Sequence, residues 1–413
     1  MKIIWKKNDL FNKNQFGFRK GKSTCSAMIE LVEKILETFE KEGYIQTIIT
    51  DLSKVFDCVP LNLLLQKLQM YKFDNKLIKL VENYLQDRHQ VVDIGHSRSE
   101  IRQINIGVPQ GSILGPTLYI IYINDLFILP NSNKIVYADD ATFLVASDSM
   151  TTLMEKSQET AALASEWFEK NGLCMNSSKN QNMVFSMRKG VSLEQDAVKF
   201  LGIYLDPKLT WNVHCNKLAG KLNKSIYALR NISNSVSQEI LISAYHAMFH
   251  SHMAYGIIAW GNSSQSGRIF KLQRRVIRII DKLDYRDDCA KSFKKLKILT
   301  MPSLFIYENL IHYYKNQFSL TTPEHQFSTR QKKNAKLPCI RLTNTKNSFT
   351  FLGIKIFNKI PNHLKNIPLP NFKNVIKKFL TNHSFYGIDE YLNFKDIHLQ
   401  LDVNYIETET LSI

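Results

Sequence analysis

The sequence predicts an α+β fold, a sheet with helices packed on one face, followed by a mostly helical second half. Three observations predict it. Two apolar, β-branched segments run into acids: the segment from Tyr44 ends on Asp51, and the segment from Lys134 to Ala146 is interrupted by Asp139-Asp140. Around them, apolar residues recur at helical spacing. After Asp206 strand patterns give way to helical ones.

The elements follow in order. Ser26 to Glu42 carries Met28, Leu31, Val32, Ile35, Leu36 and Phe39 on one face, with Gly43 as its stop. The strand to Asp51 comes next. Helical stretches follow from Leu61 to Tyr71 and from about Asn75 to Leu85, then paired strands over Gln90 to Ile106 with a turn near Gly95-His96-Ser97. Gly111 permits close backbone approach, Ser112 is a plausible helix cap, and a helix runs through Leu126. Tyr137-Ala138-Asp139-Asp140 is a tight turn between two short strands. An amphipathic helix covers 151–170, a strand runs from Asn182 to Ser186, and Phe200 to Asp206 is a short hairpin. Further on, Leu218, Leu222, Ile226 and Leu229 share one helix face with Lys217, Lys221 and Lys224 beside it. Ile269, Leu272, Val276 and Ile279 repeat the arrangement with Arg268, Lys271, Arg275 and Arg278. Residues 320–350 are polar and basic, a long loop.

The chain has 413 residues, 44% of them hydrophobic, enough for two or more domains with a sizeable core. Lys and Arg total 54 against 37 acids, a formal net charge of +17 that points to a polyanionic partner, nucleic acid first. Six cysteines show no Cys-x-x-Cys pair, which argues against a disulfide framework or a zinc ribbon and fits a reducing compartment. The first residues have no apolar signal-peptide core, and the longest apolar runs, such as Leu118 to Ile123, are far too short to span a bilayer. Gly21-Lys22-Ser23 resembles the end of a phosphate-binding loop, but the required glycine is out of register. His214, His246, His250 and His252 do not make a metal set.

Adjacent acids in a turn are common as good turn formers. Asp51 changes the reading. Two strands that both run into acids bring three carboxylates to one sheet edge, the minimum for a two-metal phosphoryl or nucleotidyl transfer site. Oxygen-rich clusters of this kind suit Mg²⁺.

Six segments in order carry a resemblance: Gln15-Phe-Gly-Phe-Arg19, Asp51-Leu-Ser-Lys-Val-Phe56-Asp57, Gly107 to Pro116, Tyr137-Ala-Asp-Asp140, Gly172 to Lys179, and Phe200-Leu-Gly202. Together they resemble reverse transcriptases of non-LTR retrotransposons of the jockey type. Ala254 to Gly261, the Arg-rich helix after it and Phe357 to Pro361 extend the likeness. The resemblance implies a right-hand polymerase, with partial fingers and an antiparallel-sheet palm over 1–206, a helical thumb over 207–290 and a C-terminal region over 291–413. It implies an RNA template, a DNA primer, deoxynucleoside triphosphates and two Mg²⁺ ions, with Mn²⁺ as a substitute. Asp51, Asp139 and Asp140 would hold the metals together with the Leu52 carbonyl. Lys179 would give a proton to leaving pyrophosphate. Arg19 would lie near the triphosphate, Phe56 beneath the sugar, and Gln110 and Gly111 along the nucleotide pocket. Lys221, Lys224, Arg275 and Arg278 would contact nucleic acid. A nuclear location is implied as well.

The sequence departs from the family at Val55, where alanine is usual. The upstream finger residues and endonuclease domain of many relatives do not precede the Gln15 segment, and no RNase H acid pattern follows. The resemblance therefore implies the 3′ part of an element. Two other readings share the palm. One is a group II intron or retron-type enzyme, which the C-terminal likeness argues against. The other is a catalytically dead nucleic-acid-binding remnant, which the intact acids argue against.

Overall fold

The computed structural model describes residues 11–176, 180–188, 197–317 and 334–395, with Ile397 and Leu401. The chain divides into two compact units, Met1–Leu201 and Gly202–Ile413.

The first unit is built on four antiparallel strands in the order β6-β7-β1-β8, with β1 Tyr44–Asp51, β6 Asn133–Tyr137, β7 Asp140–Ser147 and β8 Gln181–Phe185. Helix α1, Thr24–Glu40, precedes β1. It starts where Ser23 accepts a hydrogen bond from the Ser26 amide at 3.2 Å, while the Ser26 hydroxyl accepts from the Ser23 amide at 2.8 Å. The Gly21-Lys22-Ser23 stretch is thus a helix-capping loop. The helix also ends differently from expectation: Glu42, with φ 56°, takes the left-handed exit position expected for Gly43.

Every residue from Tyr44 to Thr50 is buried. Both sheet faces are therefore covered around β1, where a sheet with helices on one face was expected. Side chains alternate along the strand, so Ile48, Leu52 and their neighbours Ala141 and Phe143 share a face. That face joins Ala164 and Phe168 of α5, Met150–Lys170, in the main core. The odd-numbered residues of β1, ending at Asp51, lie on the opposite face.

Between β1 and β6 the chain forms α2, Leu61–Met70, and α3, Asn75–Leu85. A small ladder pairs β2, Arg88–Gln90, with β5, Arg102–Ile104, around the hairpin of β3, Asp93–Ile94, and β4, Ser97–Arg98. Helix α4, Gly115–Tyr122, is buried from Thr117 to Tyr122 with no polar face, which is why its run of apolar residues is continuous. It stops at Ile123 and gives way to a 3₁₀ turn, Asn124–Ile128. Strands β9, Val198–Phe200, and β10, Ile203–Leu205, form the short hairpin in which the division between the units falls.

After β10 the second unit is mostly helical over its described residues, with α6 Asn212–Ile232, α7 Gln238–Tyr245, α8 Ser266–Ile280, α9 Met301–Lys315 and α10 Leu369–His383 as its longer helices. Residues 207–290 and 291–413 both belong to this unit. Leu218, Leu222, Ile226 and Leu229 of α6 are buried as their spacing predicts. In α8 the buried face is rotated from the expected one: Ile269, Phe270, Gln273, Val276, Ile277 and Ile280 face inward. Gln273 reaches the core because its amide is saturated. It donates to the Tyr245 hydroxyl at 3.0 Å and the Leu299 carbonyl at 2.8 Å, and accepts from the Met301 amide at 2.7 Å. Leu272 and Ile279 are displaced to a groove. Among the described residues no helix is long and apolar enough to cross a membrane.

Candidate active site

The β1–β7 register builds the site. Asp51 stands directly opposite Asp140, and Tyr137 pairs with Asp140 across the β6–β7 turn. Directly opposed residues of antiparallel strands project to the same face. Asp51 and Asp140 therefore share one sheet face, with exposed Asp139 at the adjoining corner. Ala138 makes that corner with φ 56°. The register makes Asp140, rather than Asp139, the direct neighbour of Asp51.

Burial first, then the charges of Asp139 and Asp51, push the Asp140 carboxyl up to about 6. This has a consequence for stability. Asp140 binds its proton more tightly in the folded chain than in the unfolded chain. Folding therefore loses stability as pH rises from the ordinary carboxylate range through about 6. In a chelator at neutral pH, Asp140→Asn should raise the melting temperature, and its melting curve should be flatter than wild type between pH 4 and 7. An unchanged profile would mean that neither burial nor the neighbouring acids raise the proton affinity of Asp140 in the folded chain.

The Leu52 carbonyl, expected to join the acids, follows Asp51 at the end of β1. Leu52 bridges Met175, but the bonds flanking this bridge are Asn176 amide to Asp51 carbonyl at 2.9 Å and Ser53 amide to Cys174 carbonyl at 3.0 Å. The Leu52 carbonyl lies outside that pair of bonds. Among the described residues no three His, Cys, Asp or Glu side chains form a ready-made metal cage. The donors present, carboxylates on one strand face with a nearby backbone oxygen, fit a hard cation that completes its shell with substrate oxygens, as Mg²⁺ does.

A cavity of about 270 Å³ opens beside the acids, lined among others by Asp51, Asp140, Asn180, Gln181, Lys199 and Phe200. Phe200 and Leu201 of the predicted hairpin thus come to the acids. Lys199, a cation on this wall, was missed by the sequence reading; its only signal is its place before Phe200-Leu-Gly202. Lys179 lies outside the described residues.

The nucleotide-side residues cluster on two loops that lock together. The Val108 amide donates to the Phe56 carbonyl at 2.6 Å, and the Gly107 amide to the Val59 carbonyl at 2.8 Å. Gln110 Nε2 donates to Asp57 Oδ1 at 2.8 Å. Gly107 has φ 87°, and a Cβ there would lie 2.8 Å from Asp57 Cα and from the Phe56 carbonyl oxygen. Gly107→Ala should therefore destabilise the chain by roughly 1–2 kcal/mol from its backbone conformation alone, with the clash added. Calorimetry checks this, and a wild-type melt would show that the loops can part. At Gly111 the need is the φ of 77°, since an added Cβ meets no atom of the chain.

Phe56 is half-buried, with its ring 4.9 Å from that of Tyr119 and 5.8 Å from that of Phe18. Val55 is buried in the main core. Arg19 is drawn into its own loop, donating from Nη1 to the Asn12 carbonyl at 2.5 Å and the Gln15 carbonyl at 3.4 Å.

In the second unit a groove of about 710 Å³ is lined by Arg230, Lys271, Arg274, Arg275, Arg278 and Tyr285, over Leu272, Ile279 and Leu283. Arg275 is exposed there, while Arg278 donates from Nε and Nη2 to the Asp287 carbonyl at 3.1 and 2.8 Å, bracing the following turn. Lys221 and Lys224 are exposed on α6, outside the groove. His246 and His250 face each other at 5.1 Å, and burial pulls His250 down to about 4.

Comparison with known proteins gives the family and the relatives of the chain. Residues 1–205 match the family model described as reverse transcriptase (RNA-dependent DNA polymerase). A probable RNA-directed DNA polymerase from transposon BS of Drosophila melanogaster is 30% identical over 298 residues, 66% of this chain and 33% of that protein. The RNA-directed DNA polymerase from the mobile element jockey of the same species is 29% identical over 294 residues, 65% of this chain and 32% of that protein. The chain thus spans about a third of the length of these relatives. Among solved structures, apo telomerase from Candida tropicalis aligns with 74% of this chain and 53% of its own, at 13% identity and a TM-score of 0.42. The first half of the chain, with its paired acids at the β1–β7 edge, belongs to the reverse transcriptase family and is related to the polymerases of jockey-type non-LTR retrotransposons.

Proposed function

We propose that this chain extends a DNA primer on an RNA template with deoxynucleoside triphosphates, the first unit supplying fingers and palm and the second the thumb and C-terminal region. The observation that carries the reading is the opposition of Asp51 and Asp140 across β1 and β7, beside an open cavity. Asp51, Asp139, Asp140 and the Leu52 carbonyl would hold two Mg²⁺ ions, or Mn²⁺ in their place. Bound there, such ions make a primer 3′-hydroxyl more acidic and stabilise triphosphate oxygens. The protein's own task is positioning. The sheet edge fixes the acids. The locked Phe56 and Gly107 loops shape the sugar and base side through Phe56, Gln110 and Gly111. Arg19 stiffens the loop that leads to the triphosphate side. Lys179 is proposed as proton donor to pyrophosphate. A nuclear location follows from the same reading. Primer extension by purified protein on an RNA template tests it. Retained nucleic-acid binding without extension would instead make the chain a binding remnant.

The basic surface of the second unit is proposed to hold the primer–template. Arg275 would contact phosphates directly, Lys221 and Lys224 would add charge along α6, and Arg278 would act mainly through the turn it braces. Affinity should fall steeply with salt, and Arg275→Ala should lower the slope of log affinity against log salt by about 1. A flat salt titration would sink this assignment.

A further inference from the structure

Phe18 is an unusual residue to find where it is. It is a large aromatic left 46% exposed, and its φ of 54° lies in the left-handed region. Side chains of this size rarely adopt that backbone, and where they do a functional reason is worth seeking. Its ring meets Phe56 edge-on at 5.8 Å with an interplanar angle of 78°. On the inner side Phe56 meets Tyr119, 4.9 Å away and tilted by 46°. Tyr119 is fully buried in α4 and cannot give way. Its hydroxyl has no hydrogen-bond partner among the described residues, so its ring rather than its hydroxyl is what the packing uses.

The loop carrying Phe18 is fixed to the acid hairpin. The Phe16 amide donates to the Val136 carbonyl at 2.7 Å, and Gln15 bridges Val136. Gly17 lies so close to the turn that a Cβ would be 2.3 Å from the Ala138 amide nitrogen. The acids and the outer contact of Phe56 therefore share one frame.

A ring that rejects a hydroxyl by collision discriminates only as well as it resists displacement. If the ring can swing aside, the larger sugar enters at the cost of that movement alone. We propose that Phe18 and Tyr119 are positioning residues that clamp Phe56, and that this clamp sets how strongly the site distinguishes deoxyribose from ribose. The proposal rests on the sugar-facing role given to Phe56 above.

Equilibrium binding tests it without chemistry. The full chain is assembled on a primer–template whose primer ends in a dideoxynucleotide, and Kd is measured for the matching dNTP and rNTP. The clamp predicts that Phe18→Ala lowers the preference for dNTP by about 3- to 10-fold, the worth of one aromatic contact. The change should come from tighter rNTP binding, with the Kd for dNTP nearly constant. Tyr119→Phe should keep the preference, and Tyr119→Leu, if folded by circular dichroism, should lower it. Phe18 is at the surface, so Phe18→Ala remains informative even where Tyr119→Leu fails to fold. If Phe56→Ala erases the preference while Phe18→Ala leaves it at the wild-type value, the clamp is overturned and the role of Phe56 survives. A wild type with no dNTP preference overturns both.

Discussion

Asp139→Asn should abolish primer extension on an RNA template while leaving retention of the primer–template nearly unchanged. Asp139 sits exposed at the β6–β7 corner, so the substitution removes a charge and little packing. The neutral amide oxygen keeps a donor but loses the negative charge, so it holds Mg²⁺ far more weakly than a carboxylate does. Losing one such ligand removes several kcal/mol of charge stabilisation, on the order of a thousand-fold or more in kcat. On the proposed reading, binding to nucleic acid would depend instead on the cations of the second unit, which the substitution does not touch. Extension by Asp139→Asn at the wild-type rate would show that the metal sits elsewhere. A parallel loss of binding would show that the hairpin supports the nucleic-acid surface rather than the chemistry.

The site was legible in the sequence where a short period carried it. In β1 and in the β6–β7 hairpin, apolar runs broken by acids gave both the strands and the acids at their ends, because apolar, β-branched runs that stop at polar turn residues mark strands and where they end. The register itself was not legible: nothing local says that Asp51 meets Asp140 rather than Asp139. Neither was the covering of both sheet faces, since Gln46, Thr47 and Thr50 look solvent-facing by type yet are buried.

Long polar side chains account for most of the other surprises. Lys67 is buried because its Nζ donates to the Tyr122 carbonyl at 2.8 Å and to Asp125 at 2.9 Å. Lys134 is buried through bonds to the Leu129 and Ser132 carbonyls. Gln273 displaced Leu272 and Ile279 from the core of α8 by saturating its amide. A pattern of apolar residues cannot foresee these, because each depends on a partner distant in the chain or on a carbonyl that the sequence does not show. The same holds for Arg278, whose charge suggested a phosphate contact but whose Nε and Nη2 donors brace a turn.

Replacing Phe56 should change the choice of sugar. Phe56 lies five residues after Asp51, and the chain that turns away from β1 brings it back into contact with Tyr119 of α4. Its carbonyl is held by Val108 and the next residue by Gln110, so the ring stands on a loop fixed at two points. A deoxyribose can stack against such a ring, whereas a ribose 2′-hydroxyl collides with it, and rejection by collision discriminates more strongly than a roomy apolar pocket. Phe56→Ala and Phe56→Val should therefore raise ribonucleotide incorporation relative to deoxynucleotide incorporation. Removing a fully buried phenylalanine costs about 3–5 kcal/mol, and this ring is half-buried, so the penalty should fall below that range and a folded variant is expected. The measurement is the ratio of kcat/KM for dNTP over rNTP in wild type and in variants whose melts show a cooperative fold. A ratio that stays at the wild-type value would reduce Phe56 to a packing residue and leave the choice of deoxynucleotides without a structural cause.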